Sequence, residues 1–264
     1  MNQRLDEKPI SALISKVPPV TLMFWVIKIL ATTVGETGGD ALSMTLQLGY
    51  AVSSLIFLAF FGMTLAVQVA AKRYRPFAYW AVVVATTTVG TTMSDYCDRT
   101  LGLGYVKSSL MLFGGVLAVL FLWRRAAGRI KFENITSKTD EIFYWVTILV
   151  SNTLGTALGD FTATTTGLGF ERGAIVFAGL IVVVAAVHYW FRKVPASVLF
   201  WSAYVLTRPL GATLGDTLTK SRDEGGLALG RFTSSFTMAA AMIVGILWMS
   251  RKKREVSVPN PGTP

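Results

Sequence analysis

Long apolar runs alternate with short polar joints along the chain. Ala51–Ala71, Pro76–Ser94, Ile142–Gly159, Gly173–Trp190 and Phe232–Ser250 carry no Asp, Glu, Lys or Arg. Val106–Trp123 carries only Lys107, Val17–Gly35 only Lys28 and Val194–Gly215 only Arg208. Each run is close to the ~20 residues that a helix needs to cross hydrocarbon. The pattern predicts an all-α polytopic membrane bundle of eight transmembrane helices. A single transmembrane domain over residues 18–250 follows a polar segment, 1–17, and precedes a basic tail, 251–264, that reads as disordered. The first apolar run leads into a motif that recurs, so it reads as an uncleaved span rather than a signal peptide.

Self-comparison turns eight runs into four units. The copies read WVIKILATTVGETGGD (Trp25–Asp40), WAVVVATTTVGTTMSD (Trp80–Asp95), WVTILVSNTLGTALGD (Trp145–Asp160) and WSAYVLTRPLGATLGD (Trp201–Asp216). The Trp, Gly and Asp keep one spacing throughout. Past the Asp, three copies show LGY, LGY and LGF, ending at Tyr50, Tyr105 and Phe170, whereas the fourth inserts the charged stretch Lys220–Glu224. The repeats span 18–71, 76–123, 141–190 and 197–249. With two helices per unit, successive copies cross in the same direction, which predicts parallel repeats with pseudo-symmetry about the membrane normal.

Charge orients the array. Seventeen of the 25 Lys and Arg fall on one side: Arg4, Lys8, Lys16, Lys72, Arg73, Arg75, five from Arg124 to Lys138, Arg192, Lys193 and Arg251–Arg254. The positive-inside rule then makes both termini cytoplasmic. The seven tryptophans cluster near the same helix ends, as an interfacial belt requires. The formal net charge of +10 sits in these joints, so it marks topology and not nucleic-acid binding. With 52% hydrophobic and only 15% charged residues, against about a quarter charged in soluble domains, the partner is the lipid bilayer.

The candidate chemistry lies in the motif. Gly35 with Gly39, Gly155 with Gly159 and Gly211 with Gly215 are GxxxG pairs, and Gly90 with Ser94 is the small-residue equivalent, so these positions are expected at close helix contacts. Asp40, Asp95, Asp160 and Asp216 each directly follow or adjoin such a contact, roughly 22 Å beyond the motif Trp at the helical rise. A charged Asp at mid-bilayer costs about 2.5–3.5 kcal/mol, and less toward the interface. Four of them either cap the following segments, pair with Lys28, Arg99 or Arg208, or line an ion or proton pathway. Glu36 adds a fifth carboxylate or partners Lys28. Arg208 either pairs with an acid, Asp216 being the nearest in its unit, or binds an anion. Threonines around the motif serve interhelical hydrogen bonds or a hydrated path. Cys97 reads as a small packing residue or a soft metal ligand, Met44 and Met93 as core, and His188 as interfacial. With a lone His, a lone Cys, no nucleophile elbow and no metal-spaced His/Cys cluster, an enzyme and a cofactor are not expected; whether a metal binds is open.

The TxGxxxGD element with its LGY, over nearly all of residues 18–250, resembles a bacterial family of uncharacterised multi-pass membrane-anchored proteins built of tandem repeats of unknown function. That resemblance implies the fold and a bacterial inner-membrane location, but no activity. The residues themselves point to a transporter or channel-like protein for a small cation, with divalent metals and proton coupling within the class. The aspartates and Glu36 would coordinate or relay, and Arg208 and Lys28 would set the charge. The rival class is a scaffold or assembly protein with structural aspartates. Reporter fusions after Lys138 and after Arg254 are expected to report cytoplasm, and fusions near Gly102 and Glu224 periplasm; an external C-terminus would overturn the orientation.

Overall fold

The computed structural model describes residues 16–71, 73–191 and 193–257. The expected N-terminal segment, up to Ser15, and the last seven residues of the expected tail lie outside them. Eight long helices and no strand occur among the described residues: α1 (Leu22–Asp40), α2 (Gly49–Ala70), α3 (Pro76–Asp95), α4 (Gly104–Ala127), α5 (Lys138–Asp160), α6 (Gly169–Trp190), α7 (Ala196–Thr219) and α8 (Arg231–Ser257). α8 carries on through the basic cluster to Ser257, so the helix outlasts the apolar run that was expected to end it.

Local signals set the starts and stops. The Thr21 hydroxyl accepts from the Phe24 amide to cap α1, and Ser137 accepts from the Asp140 amide to cap α5, which also carries Asp140 and Glu141 in its first turn. Pro76 opens α3, where its missing N–H costs nothing. Beyond Asp40, Asp95 and Asp160 the helices widen into single π turns, Ala41–Thr45, Tyr96–Thr100 and Phe161–Thr165. Leu46, Leu101 and Thr166 close them by donating to the carbonyls of Ala41, Tyr96 and Phe161 at 3.0, 2.9 and 3.2 Å. The glycine of each LGY or LGF follows, with φ of 73° at Gly49, 70° at Gly104 and 78° at Gly169. Only glycine reaches that left-handed backbone without strain, and there the chain reverses into the next helix. The fourth unit lacks the π turn: α7 runs to Thr219, and a 3₁₀ turn, Arg222–Glu224, makes the reversal instead.

The odd-numbered helices form a closed ring, α1 on α3, α3 on α5, α5 on α7 and α7 on α1. Each even-numbered helix packs mainly on the inner helix of the next unit, with α8 closing onto α1. Two sets of contacts show how regular the ring is. At the Trp end, the aromatic residue before each motif Trp meets the motif Trp of the next unit. Phe24–Trp80, Tyr79–Trp145, Tyr144–Trp201 and Phe200–Trp25 have centroid separations of 5.5, 5.6, 5.7 and 5.6 Å. One turn past mid-helix, each motif Gly faces the residue three before the motif Gly of the next unit: Gly35 on Thr87, Gly90 on Asn152, Gly155 on Arg208 and Gly211 on Thr32. Gly39, Gly159 and Gly215 repeat this one turn on, against Thr91, Ala212 and Glu36. Contacts that advance together on both partners require parallel inner helices, as the repeat model expects.

Polarity is inverted relative to a soluble domain. The even-numbered helices present apolar side chains outward, among them Leu55, Leu110, Val182 and Phe236, each at least 66% exposed. The ring buries Thr, Asn, Asp, Glu, Lys and Arg. Such an outside needs an apolar solvent. α2, α4, α5, α6 and α8 are long and apolar enough to cross a membrane. α1, α3 and α7 fall short because their motif fills them with Thr, Gly and charge, which they turn toward one another. The tryptophan belt is corrected: Trp80, Trp123, Trp145 and Trp201 are at most 4% exposed and belong to the core. They pack one another because the inner helices face rings and not lipid at this level. The joint from Gly128 to Ser137 lies beneath them. Its Ile135 is buried, Phe132 stacks on Phe200 at 4.9 Å, and Glu133 accepts from the Val20 amide at 3.1 Å. The Trp end of the ring is thereby shut.

The close approach is testable at two glycines. A Cβ on Gly90 would lie 2.9 Å from the Asn152 carbonyl carbon, while one on Gly62 meets nothing within 4 Å. Gly90→Ala is expected to destabilise the protein by about 1–3 kcal/mol. Gly62→Ala, inside α2, should be neutral or stabilising by up to about 1 kcal/mol. Melting curves of the two variants in one detergent make the comparison.

Candidate functional site

The ring carries its four aspartates to one level at the end opposite the aromatic floor. Asp40, Asp95, Asp160 and Asp216 are 1%, 2%, 3% and 2% exposed. None of them caps the turn that follows. They are ion-paired instead, in two sets. Arg99 lies 3.1 Å from Asp95 and 3.4 Å from Asp160. Lys220 lies 3.4 Å from Asp216 and 3.8 Å from Asp40, and Arg231 comes from α8 to 3.6 Å from Asp40. The expected ring of carboxylates is therefore compensated, one cation bridging each of two joints.

The bridges follow from a single register. Arg99 and Lys220 stand four residues past their aspartates, one helical turn on. The corresponding residues of the first and third units are Met44 and Thr164. Diagonal units thus supply the cations, and the units between them supply only acids. The charged insertion of the fourth unit, which in the sequence is a mere departure from the repeat, delivers Lys220. Arg231 has no local signal, since it reaches Asp40 only because α8 closes onto α1.

Deeper along the axis lies a second charged layer. Arg208, with no exposed surface, donates from Nη2 to Glu36 Oε2 at 2.9 Å, to Thr91 Oγ1 at 2.5 Å and to the Thr87 carbonyl at 3.4 Å. Its stem occupies the space left by the absent side chain of Gly155. Arg208 therefore pairs with Glu36, from the adjacent unit, and not with Asp216 of its own. Glu36 correspondingly serves Arg208 rather than Lys28. Lys28 is fully buried, 3.4 Å from Asn152 Oδ1 and 4.2 Å over the Tyr204 ring, with no carboxylate within 4 Å among the described residues. Asn152 donates in turn to Thr86 Oγ1 at 3.0 Å.

The threonines mostly satisfy themselves. Thr33, Thr37, Thr88, Thr92, Thr153 and Thr213 donate to carbonyls three or four residues back in their own helices. Thr32 and Thr87 also reach across the ring, at equivalent positions, to the carbonyls of Thr207 and Ala31, both at 3.2 Å.

Not every polar atom is met. Asp40 Oδ1 is buried without a hydrogen-bond donor, and Arg208 Nε and Nη1 without an acceptor. Asp95 Oδ1 and Asp216 Oδ1 meet only their ion-pair partners, Arg99 Nε at 3.1 Å and Lys220 Nζ at 3.4 Å. Glu36, Asp40 and Asp216 each offer a carboxylate oxygen, all three within 4.8 Å of one another. The fifth carboxylate thus joins two of the ring, at the joint between the fourth and first units. The corresponding residue at the diagonal joint is Thr156. A trio of carboxylate oxygens suits a hard cation or a proton.

A family model described as a repeat of unknown function, DUF347, matches residues 23–74, 78–129, 143–194 and 199–255. No curated protein and no solved structure matches the chain.

The Arg208 pairing makes a sharp forecast. Glu36→Gln leaves a buried guanidinium without its counter-charge and should cost about 3–5 kcal/mol of stability. Arg208→Met in that background should recover much of the loss. Asp216→Asn should cost clearly less than Glu36→Gln; equal losses in unfolding titrations would mean that Arg208 answers to Asp216 as well.

Proposed function

We propose that this chain, which belongs to the DUF347 repeat family, is an inner-membrane transporter of a small cation, with the axis of the four-helix ring as its route. All eight helices span the bilayer in this reading. Both termini and the aromatic floor face the cytoplasm, and the aspartates face the periplasm. The positive bias of the joints at the Trp end supports that orientation.

One observation carries the transport reading. Carboxylates converge deep in the ring, yet Asp40 Oδ1 remains without a donor and the cations at that joint stand off at 3.4–3.8 Å from Asp216 and Asp40. A purely structural ion pair in a low-dielectric interior is stable only with close geometry and satisfied lone pairs. The Glu36–Arg208 and Asp95–Arg99 contacts come nearer to that geometry, at 2.9 and 3.1 Å. Asp40 and Asp216 do not, which fits a site built to exchange its cation. With the floor sealed and the carboxylates at most 3% exposed, the conformation corresponds to an occluded state. The Glu36–Arg208 pair is also what favours the second reading, a membrane scaffold held by internal charge pairs.

Asp→Asn keeps side-chain volume and eases insertion, so it separates the two. Asp40→Asn, Asp95→Asn, Asp160→Asn and Asp216→Asn are each expected to insert normally. Each should cut ion flux in reconstituted vesicles by roughly tenfold or more, the factor that about 1.4 kcal/mol of lost site energy gives. Unchanged flux in all four, or failure of all four to fold, returns the aspartates to the scaffold.

A further inference from the structure

The four aspartates are equivalent in sequence but not in surroundings, and the difference points to one working site. At the joint between the second and third units, Asp95 and Asp160 share Arg99, a permanently charged group whose planar fork suits two carboxylates at once. No third carboxylate joins them, because Thr156 stands where the first unit has Glu36. At the joint between the fourth and first units, Asp216 and Asp40 share a lysine, a compact charge on a flexible stem. Here Glu36 brings a third carboxylate within 4.8 Å, and Asp40 Oδ1 is buried with no donor.

We propose that the triangle of Glu36, Asp40 and Asp216 takes one hard divalent cation, and that Lys220 and Arg231 are tethered charges that give way to it. The proposal rests on the transport reading and adds which joint binds and what class of ion it takes.

Charge balance supports the exchange. Three carboxylates face Arg208, Lys220 and Arg231, for a local sum of zero. Arg208 is fully buried and held by Glu36 and Thr91, so it stays. The other two stand at the open end, with side chains 10% and 26% exposed. Arg231 is loosely held, 3.6 Å from Asp40, 3.4 Å from Thr45 Oγ1 and 3.3 Å from Met44 Sδ. Replacing these two single charges by one divalent ion leaves the sum unchanged.

Geometry is compatible. A point equidistant from three oxygens 4.8 Å apart lies roughly 2.8 Å from each, so a slight closing of the side chains reaches the 2.0–2.6 Å of magnesium and calcium sites. All the donors are carboxylate oxygens, which selects magnesium, calcium or manganese over thiophilic metals. The second joint keeps its Arg99 bridge between Asp95 and Asp160 while the first exchanges.

Manganese titrated into the full chain in lipid nanodiscs, followed by calorimetry, tests the assignment. Removing a competing charge should tighten binding, so Lys220→Gln and Arg231→Gln should each raise manganese affinity by roughly tenfold. Lys220→Arg keeps the charge and should not raise it. Asp40→Asn or Asp216→Asn should weaken binding by about tenfold or more, and by more than Asp95→Asn does. Should Lys220→Gln fail to fold, Arg231→Gln reads the same exchange from the other tether. The proposal is overturned if folded Lys220→Gln and Arg231→Gln bind manganese no more tightly than the unaltered chain. It is also overturned if Asp95→Asn costs as much as Asp216→Asn, or if no variant binds manganese. Transport stands or falls separately, on vesicle flux. Tighter manganese binding without flux would retire the transporter and keep the site, whereas flux with manganese binding indifferent to Lys220 and Asp216 would do the reverse.

Discussion

Everything in this protein hangs on one close approach, repeated four times: a motif glycine of one inner helix seated on the residue three before the motif glycine of the next. At Gly90 a methyl group would lie 2.9 Å from the Asn152 backbone. Such proximity permits no side chain on one partner and sets the depth of both helices. Because each unit carries both halves of the contact, the glycine and its seat, four copies close into a ring without a special end. The aromatic contacts at the Trp end obey the same rule, with separations agreeing within 0.2 Å. In lipid there is no hydrophobic drive to bring helices together, so close packing of small residues has to do so. The aspartates are buried because they stand at the end of that seam.

On this symmetric frame, function is written by departures from symmetry. The seat position reads Thr32, Thr87, Asn152 and Arg208 around the ring, so one position gives two hydroxyls, an amide and a guanidinium. Two hydroxyls make equivalent cross-ring bonds, which are structural. The guanidinium fits only because the glycine opposite, Gly155, leaves room for its stem, and only because Glu36 supplies its counter-charge. Glu36 and Arg208 lie on neighbouring units, so the pair belongs to the closed ring and to no isolated repeat.

That division also marks what was legible in the chain. The repeat, the parallel units, the glycine contacts and the level of the aspartates follow from spacing, because helical periodicity and small-residue packing are local and strict. The LGY element was visible as a motif but its reason, a left-handed glycine after a π turn, was not, since widening of a helix by one residue leaves no mark in composition. The tryptophans misled: at 0% exposure Trp80 and Trp123 are core residues, and interfacial position in a helix does not say whether the facing neighbour is lipid or another aromatic. Charge pairing was the least legible. Arg99 and Lys220 follow the four-residue rule from their own aspartates, yet which second aspartate each reaches depends on ring order. Arg231 depends on the closing of α8, and Arg208 on a partner 172 residues away.

The ring also explains why its own helices are the less apolar ones. A helix that faces lipid must be apolar on that side, and α2, α4, α6 and α8 are so over most of their surface. A helix that is surrounded by other helices has no such requirement, and each polar group it carries is tolerated in proportion to the partner it finds. α1, α3 and α7 are consequently free to hold threonines that bond their own backbones and charges that bond across the axis. In a bilayer their own hydrophobicity would not suffice, since a charged residue alone at mid-bilayer costs about 2.5–3.5 kcal/mol. Each has an apolar outer helix packed against it. α2 packs on α3, α4 on α5 and α6 on α7, so each of these inner helices lies against the outer helix of the unit before it. α1 lies instead against α8, of the fourth unit, and carries both Lys28 and Glu36. The joint between the first and fourth units is therefore the joint where the three carboxylates meet, and its charge balance draws on both ends of the ring.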